Sequence, residues 1–161
     1  MKCNGFADEL IGNLKKQAKL YGELLLLSEK KTDVLIRGDV KALEEITRVE
    51  QEMVLKLGEM EGERVKITET LCGENVTAEK LKDVLPVDKK SELEGIVVKM
   101  KDTLLKLQRR NEINEKLIRR ALEYINFSIE LMTSAVKKPA GYDAGGRTSE
   151  DETLNIIDKK A

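Results

Sequence analysis

The sequence predicts an all-α protein, an elongated antiparallel helical bundle or coiled-coil hairpin with a long C-terminal helix. Three observations carry this. From Ser91 to about Lys138, the residues Leu93, Val97, Met100, Leu104, Leu107, Asn111, Asn114, Ile118, Ala121, Ile125, Ser128, Met132 and Ala135 recur at spacings of three and four, the period of one helical face. Charged residues make up 37% of the 161-residue chain and aromatic ones 3%, with no Trp; this suits long helices with aliphatic seams better than a compact globule. Finally, Gly38 and Asp39 separate two earlier periodic runs as a stop and a start signal.

The first helix is expected from about Phe6 to Arg37, with Phe6, Leu10, Leu14, Tyr21, Leu24, Leu25, Ser28 and Leu35 near one stripe. The run Leu24–Leu27 spreads apolar surface round more than half of it, so this segment should be contacted on two sides or cover a wide seam. Gly38 suits the left-handed residue just past a helix end, and Asp39 can accept from the free amides of the next helix. So tight a joint favours an antiparallel hairpin over one continuous rod with a defect. The second helix, Val40 to about Leu71, has the stripe Leu43, Ile46, Glu50, Met53, Leu57, Met60, Arg64, Ile67 and Leu71. Arg64 fits there if its stem lies over apolar surface while its head reaches water. Gly58 and Gly62 weaken this helix unless they permit a close crossing.

The connector Cys72–Lys90 has room for a short turn or helix over Ala78–Leu85, ended by Pro86. Asp88 or Ser91 then caps the long helix, which from Ser91 to Lys138 would be roughly 70 Å long and needs partners along its length. After Lys138, Pro139, Gly141, Gly145 and Gly146 change the character of the chain. The domain reading is a helical body over residues 1–138 and a flexible tail over 139–161, in which Thr153, Leu154, Ile156 and Ile157 suffice for about two turns of helix.

Composition excludes much chemistry. Histidine is absent and 29 basic residues meet 30 acidic ones, a formal charge of -1, so imidazole catalysis and a strong whole-chain field are both ruled out. Cys3 and Cys72 are the only cysteines, too few for a structural zinc site. Neither a phosphate-binding glycine loop nor a calcium loop occurs, and the carboxylate pairs lack the Glu-x-x-His halves of a di-iron bundle. No catalytic residue, metal or cofactor is expected, and the chain reads as no enzyme. The N-terminal stretch lacks a continuous apolar core and Leu24–Leu27 is too short to span a bilayer, so membrane insertion is not expected and the location is read as cytoplasmic. Between Lys99 and Arg120, eight basic residues outnumber three acidic ones. Without aromatic interleaving, the simpler reading is a solvated face rather than a nucleic-acid site.

Asn111 and Asn114 fall where partners should touch. Either they are buried and hydrogen-bonded, fixing register, or this part of the seam is open until a partner arrives. Beyond them, Leu117, Ala121, Tyr124, Ser128, Leu131 and Ala135 form a second line beside Ile118, Ile125 and Met132. A helix apolar over so wide an arc is either central in a three-helix body or a surface for an amphipathic helix.

The run Asn111–Met132, NEINEKLIRRALEYINFSIELM, with its N-x-x-N and "leucine-x-aromatic-I-N-x-S" blocks, resembles the long C-terminal helix of the FlgN family of flagellar type III export chaperones. The earlier run LYGELLLLSEKKTDVLIRGDVKALEEIT, residues 20–47, is similar to the family's leucine-rich segment leading into "L-x-x-G-D-x-x-x-L", and Tyr142 with Gly145 resembles the tyrosine and glycine after its last helix. The likeness spans roughly residues 6 to 146. It implies a helical cytoplasmic chaperone that holds hook-filament junction proteins before export by covering their amphipathic C-terminal helix. Carried over by position, the client-binding residues are Asn114, Leu117, Ile118, Ala121, Ile125, Ser128, Leu131 and Met132, and Tyr142 is the candidate contact to the export apparatus. The tail beyond Gly146 has no counterpart in the family pattern. The alternative is a structural coiled-coil protein whose seam is used in a homodimer, so homo-oligomerisation stays open.

Overall fold

In the computed structural model, which describes residues 2–72 and 85–136, the chain forms three α-helices: α1 Lys2–Arg37, α2 Val40–Cys72 and α3 Val87–Val136. No strand occurs among the described residues, and the all-α expectation holds. The turn read over Ala78–Leu85 lies outside the described residues except for Leu85, and so does the domain boundary placed at residue 138. Two compact units divide the chain, residues 1–120 and 121–161.

Within the first unit the α1–α2 joint forms as its residues require. Gly38 has φ 66°, a left-handed conformation that costs a side-chain-bearing residue roughly 1–2 kcal/mol. Its amide donates to the Leu35 carbonyl at 3.3 Å while the Asp39 amide donates to the Val34 carbonyl at 3.2 Å. These paired bonds satisfy carbonyls that α1 would otherwise leave free. Asp39 Oδ1 then accepts from the Ala42 amide at 3.1 Å and opens α2.

The start of α3 differs from expectation. The Pro86 carbonyl accepts from the amides of Lys89 and Lys90 at 3.0 and 3.1 Å, so the helix begins before both Asp88 and Ser91, and neither is its cap. Proline suits this place because a helix start leaves amides unpaired in any case.

Cross-helix bonds fix the directions. Between α1 and α2, Lys31 Nζ meets Glu50 Oε2 at 2.5 Å near the turn, and Asn13 Nδ2 donates to the Met60 carbonyl at 3.0 Å farther along; the two helices are antiparallel, as the hairpin reading requires. Between α1 and α3 the pairs advance together, from Lys15–Glu92 at 2.5 Å to Ser28–Asn111 at 2.8 Å. Within this unit α1 therefore runs antiparallel to α2 and parallel to α3, and it is contacted on two sides.

Two aliphatic clusters hold the unit together. Leu10 and Leu14 of α1, Ile67 of α2 and Leu93 of α3 form one with Ala7 and Leu85. Leu20 and Leu24, Leu57 and Leu107 form the other. Burying each such side chain contributes about 1.5–3 kcal/mol relative to leaving it in water. The expected α2 stripe is inward wherever it is described, from Leu43 to Ile67. Arg64 there pairs with Glu61 through two bonds of 2.8 and 2.7 Å. Gly58 and Gly62 are not close-crossing positions, since a Cβ at either would meet nothing within 4 Å.

On α3 only one of the two lines in the expected stripe is well covered. Leu93, Leu107 and Asn114 are buried and Met100 is half-buried, whereas Leu104 is exposed and Asn111 and Ile118 lie at the rim, both counted exposed. Residues seven apart keep nearly one direction on a helix. The line through Leu93, Met100, Leu107 and Asn114 therefore stays inward, and the line through Leu104, Asn111 and Ile118 stays at its edge.

Candidate functional site

The second half of α3 changes character at Asn114. That residue is only 3% exposed, and its amide is fully used within the first unit. Nδ2 donates to the Ser28 carbonyl at 2.9 Å and to Ser28 Oγ at 3.2 Å, and Oδ1 accepts from Thr32 Oγ1 at 2.7 Å. Ser28 Oγ in turn donates to Asn111 Oδ1 at 2.8 Å. Burying these groups without partners would cost more than their bonds contribute. Of the two readings left open for the asparagines, the structure shows the buried and bonded one for Asn114. Its side chain faces α1, because Ser28 and Thr32 supply the matching donors and acceptors.

Past Asn114 the polar partners end and apolar exposure begins. Leu117 is half-buried and Ile118 is 36% exposed. In the second unit, the described residues are the continuation of α3 from Ala121, and nearly all of them are exposed. Ala121, Ile125, Leu131 and Met132 lie open, Met132 at 71%, while Ser128 is half-buried. Tyr142 lies outside the described residues.

The apolar surface is wider than the sequence stripe. Leu122, Tyr124, Phe127 and Ile129 are exposed as well, Tyr124 at 72% and Phe127 at 57%. Tyr124 already stood in the second of the two lines that periodicity drew, whereas Leu122, Phe127 and Ile129 fell outside both. The signal that could have found Phe127 and Ile129 is that Asn126 is the one polar residue off both lines from Ile125 to Ile129.

The hydroxyls in this stretch add little polarity. Ser128 Oγ donates to the Tyr124 carbonyl at 2.8 Å and Ser134 Oγ to the Glu130 carbonyl at 2.7 Å. Such back-bonding turns a hydroxyl toward its own helix, so methyl groups and rings form most of what is offered to solvent. Clusters of large exposed apolar side chains are uncommon on proteins that act alone. Upstream, part of the basic run is engaged in pairing: Lys106 meets Asp102 at 2.6 Å, Arg119 meets Glu115 at 2.8 Å and Arg110 approaches Glu29 at 3.9 Å. Among the described residues no group of three or more acidic or cysteine side chains is placed to hold a metal ion, and no helix is long and apolar enough to cross a membrane.

Fold and face together define a helical-bundle protein that exposes an apolar helix surface. The family model described as FlgN protein matches residues 1–150, and the chain belongs to the FlgN family. It is also 33% identical over 128 residues to the uncharacterized protein YvyG of Bacillus subtilis (strain 168), covering 78% of this chain and 80% of that one. No solved structure matches it. Membership implies a role in flagellar export as a chaperone, in a family of chaperones rather than enzymes.

Proposed function

We propose that this chain is a cytoplasmic, non-enzymatic export chaperone that takes the amphipathic C-terminal helix of flagellar hook-filament junction proteins onto α3 between Leu117 and Met132. The observation that carries the reading is the exposure of Leu122, Tyr124, Ile125, Phe127, Leu131 and Met132 within one helical stretch. An amphipathic helix laid there would bury its own stripe and this one together, and covering that stripe keeps the client unassembled without any covalent step. Leu117, Ile118, Ala121 and Ser128 would line the same surface. Asn114 would serve it only indirectly, by fixing the register of α3 below it. Tyr142 is proposed as the contact to the export apparatus on the family resemblance alone.

Co-purification from the native cell, with identification of the retained protein, is the deciding experiment. A flagellar junction protein should be retained by the wild type and lost from the Ile125→Asp, Leu131→Asp, Met132→Asp triple variant. A charge in a buried apolar contact should weaken binding by about tenfold or more. Retention of no client, with the triple variant dissolving a stable homodimer instead, would overturn the reading in favour of a structural coiled coil.

A further inference from the structure

The exposed part of α3 carries two seams. In the described stretch 121–134, Leu122, Ile125, Ile129 and Met132 follow one another at gaps of three, four and three, and Ala121, Tyr124, Ser128 and Leu131 do the same one position earlier. Ile129 and Leu131, one on each seam, are 43% and 55% exposed. On an α-helix the side chains of the two seams together spread over about 180°. A coiled-coil seam for one partner helix is narrower than roughly 100°, so a single helix laid on either seam leaves the other in water.

The first unit shows what covers so wide a face. Leu93 clusters with Leu10 and Leu14 of α1 and with Ile67 of α2, and Leu107 with Leu20 and Leu24 of α1 and with Leu57 of α2. Each is enclosed by both arms of an antiparallel hairpin. The seven-residue line through these leucines and Asn114 continues in the sequence at Ala121 and Ser128, on the border between the two seams. Ala121 is exposed and Ser128 half-buried. Both are small where Leu93 and Leu107 are large, so the bulk that fills this part of the line has to come from an occupant. We infer that the 121–134 stretch takes two amphipathic helices of one partner chain, an antiparallel pair seated astride Ala121 and Ser128 with a large apolar side chain over each. A second copy of this chain suits the face less well. It would bring one such helix, whose own small residues add no bulk at this line. The stretch also holds Glu123 and Glu130 but no Lys or Arg, so two copies of it would set acid beside acid. The inference rests on the client reading of the face and widens the client from one helix to two.

The test titrates the full chain with two synthetic probes: an amphipathic helix with leucine at alternate third and fourth positions, and an antiparallel pair of that helix joined by a glycine loop. Calorimetry gives stoichiometry and affinity, and methyl NMR reads Ile129 and Leu131 separately. The expected result is two single helices per chain but one linked pair, with the pair binding about a hundredfold or more tighter and the methyl signals of both residues shifted. Ile129→Asp and Leu131→Asp, each at an exposed position, should each reduce the single helix to one per chain and remove most of the advantage of the pair. Saturation at one single helix per chain, or a linked pair no tighter than the single helix, would overturn the inference and leave the client reading standing. If neither probe binds the wild type, the client reading fails and the inference with it. Sedimentation equilibrium completes the test: a self-associated wild type that both variants turn into monomers means that further copies of this chain occupy the seams, and the inference fails.

Discussion

Replacing Asn114 by Ala removes a side chain that ties α3 to α1 through both its oxygen and its nitrogen. Two strong bonds disappear, Thr32 Oγ1 to Oδ1 at 2.7 Å and Nδ2 to the Ser28 carbonyl at 2.9 Å, with a weaker one of 3.2 Å to Ser28 Oγ. The groups left behind keep partners: Thr32 Oγ1 retains the Ser28 carbonyl at 3.1 Å and Ser28 Oγ retains Asn111 at 2.8 Å. The cost is therefore that of the bonds themselves, at about 0.5–1.5 kcal/mol each, and not the larger penalty of stranded buried groups. The total comes to about 2 kcal/mol, which with an ordinary urea slope lowers the unfolding midpoint by about 1 M. Urea unfolding followed by circular dichroism measures this directly. Combined with Thr32→Val, the loss should fall short of additivity by about 1 kcal/mol, because the two residues share a bond. A loss below about 0.5 kcal/mol, or full additivity of the pair, would refute the buried network.

The glycines give predictions of opposite sign. Gly58→Ala and Gly62→Ala should each raise stability by about 0.5–1 kcal/mol in the same urea assay, since both sit in a helix interior with open space around the new methyl group. Gly38→Ala should lower it by roughly 1–2 kcal/mol, because its backbone is left-handed. Toward acid, the bonds from Arg64 hold the Glu61 carboxyl below its usual range, and those from Lys15, with Lys89 nearby, do the same for Glu92. A depressed carboxylate contributes stability that is present above its unfolded pKa, about 4.3, and is lost as pH falls through the folded value. Melting temperatures should therefore fall below about pH 4.3 and, with no histidine in the chain, stay flat from about pH 5.5 to 7. Glu61→Gln should flatten part of the acid limb.

Much of the fold was legible because it is written in local signals. The Gly38–Asp39 joint gave both the end of α1 and the start of α2, and the position of every described α2 stripe residue followed from spacing alone. The start of α3 was less legible, because Pro86 reads equally well as the end of one element and the opening of the next. Spacing also could not say which of the two lines on α3 would lie under α1, since that depends on where the neighbouring helices sit. The same limit applied to the site. Ser28 stood on the expected α1 stripe, but spacing did not pair it or Thr32 with Asn114, and Leu122, Tyr124, Phe127 and Ile129 could equally have been core. Their exposure depends on how far along α3 the cover extends, a tertiary property.

The pairing order has a consequence for how the molecule comes into being. The contacts joining α1 to α2 close a hairpin whose nearest bond, Lys31 to Glu50, spans 19 positions, whereas Ser28 to Asn111 spans 83. Short loops close at lower entropic cost and faster than long ones. On the ribosome the hairpin can therefore assemble while α3 is still unmade, leaving the Ser28–Thr32 edge of α1 solvated until Asn114 emerges. The helix that carries the apolar surface is thus the last to be anchored, and its sticky half is synthesised only after a folded platform exists to hold its base.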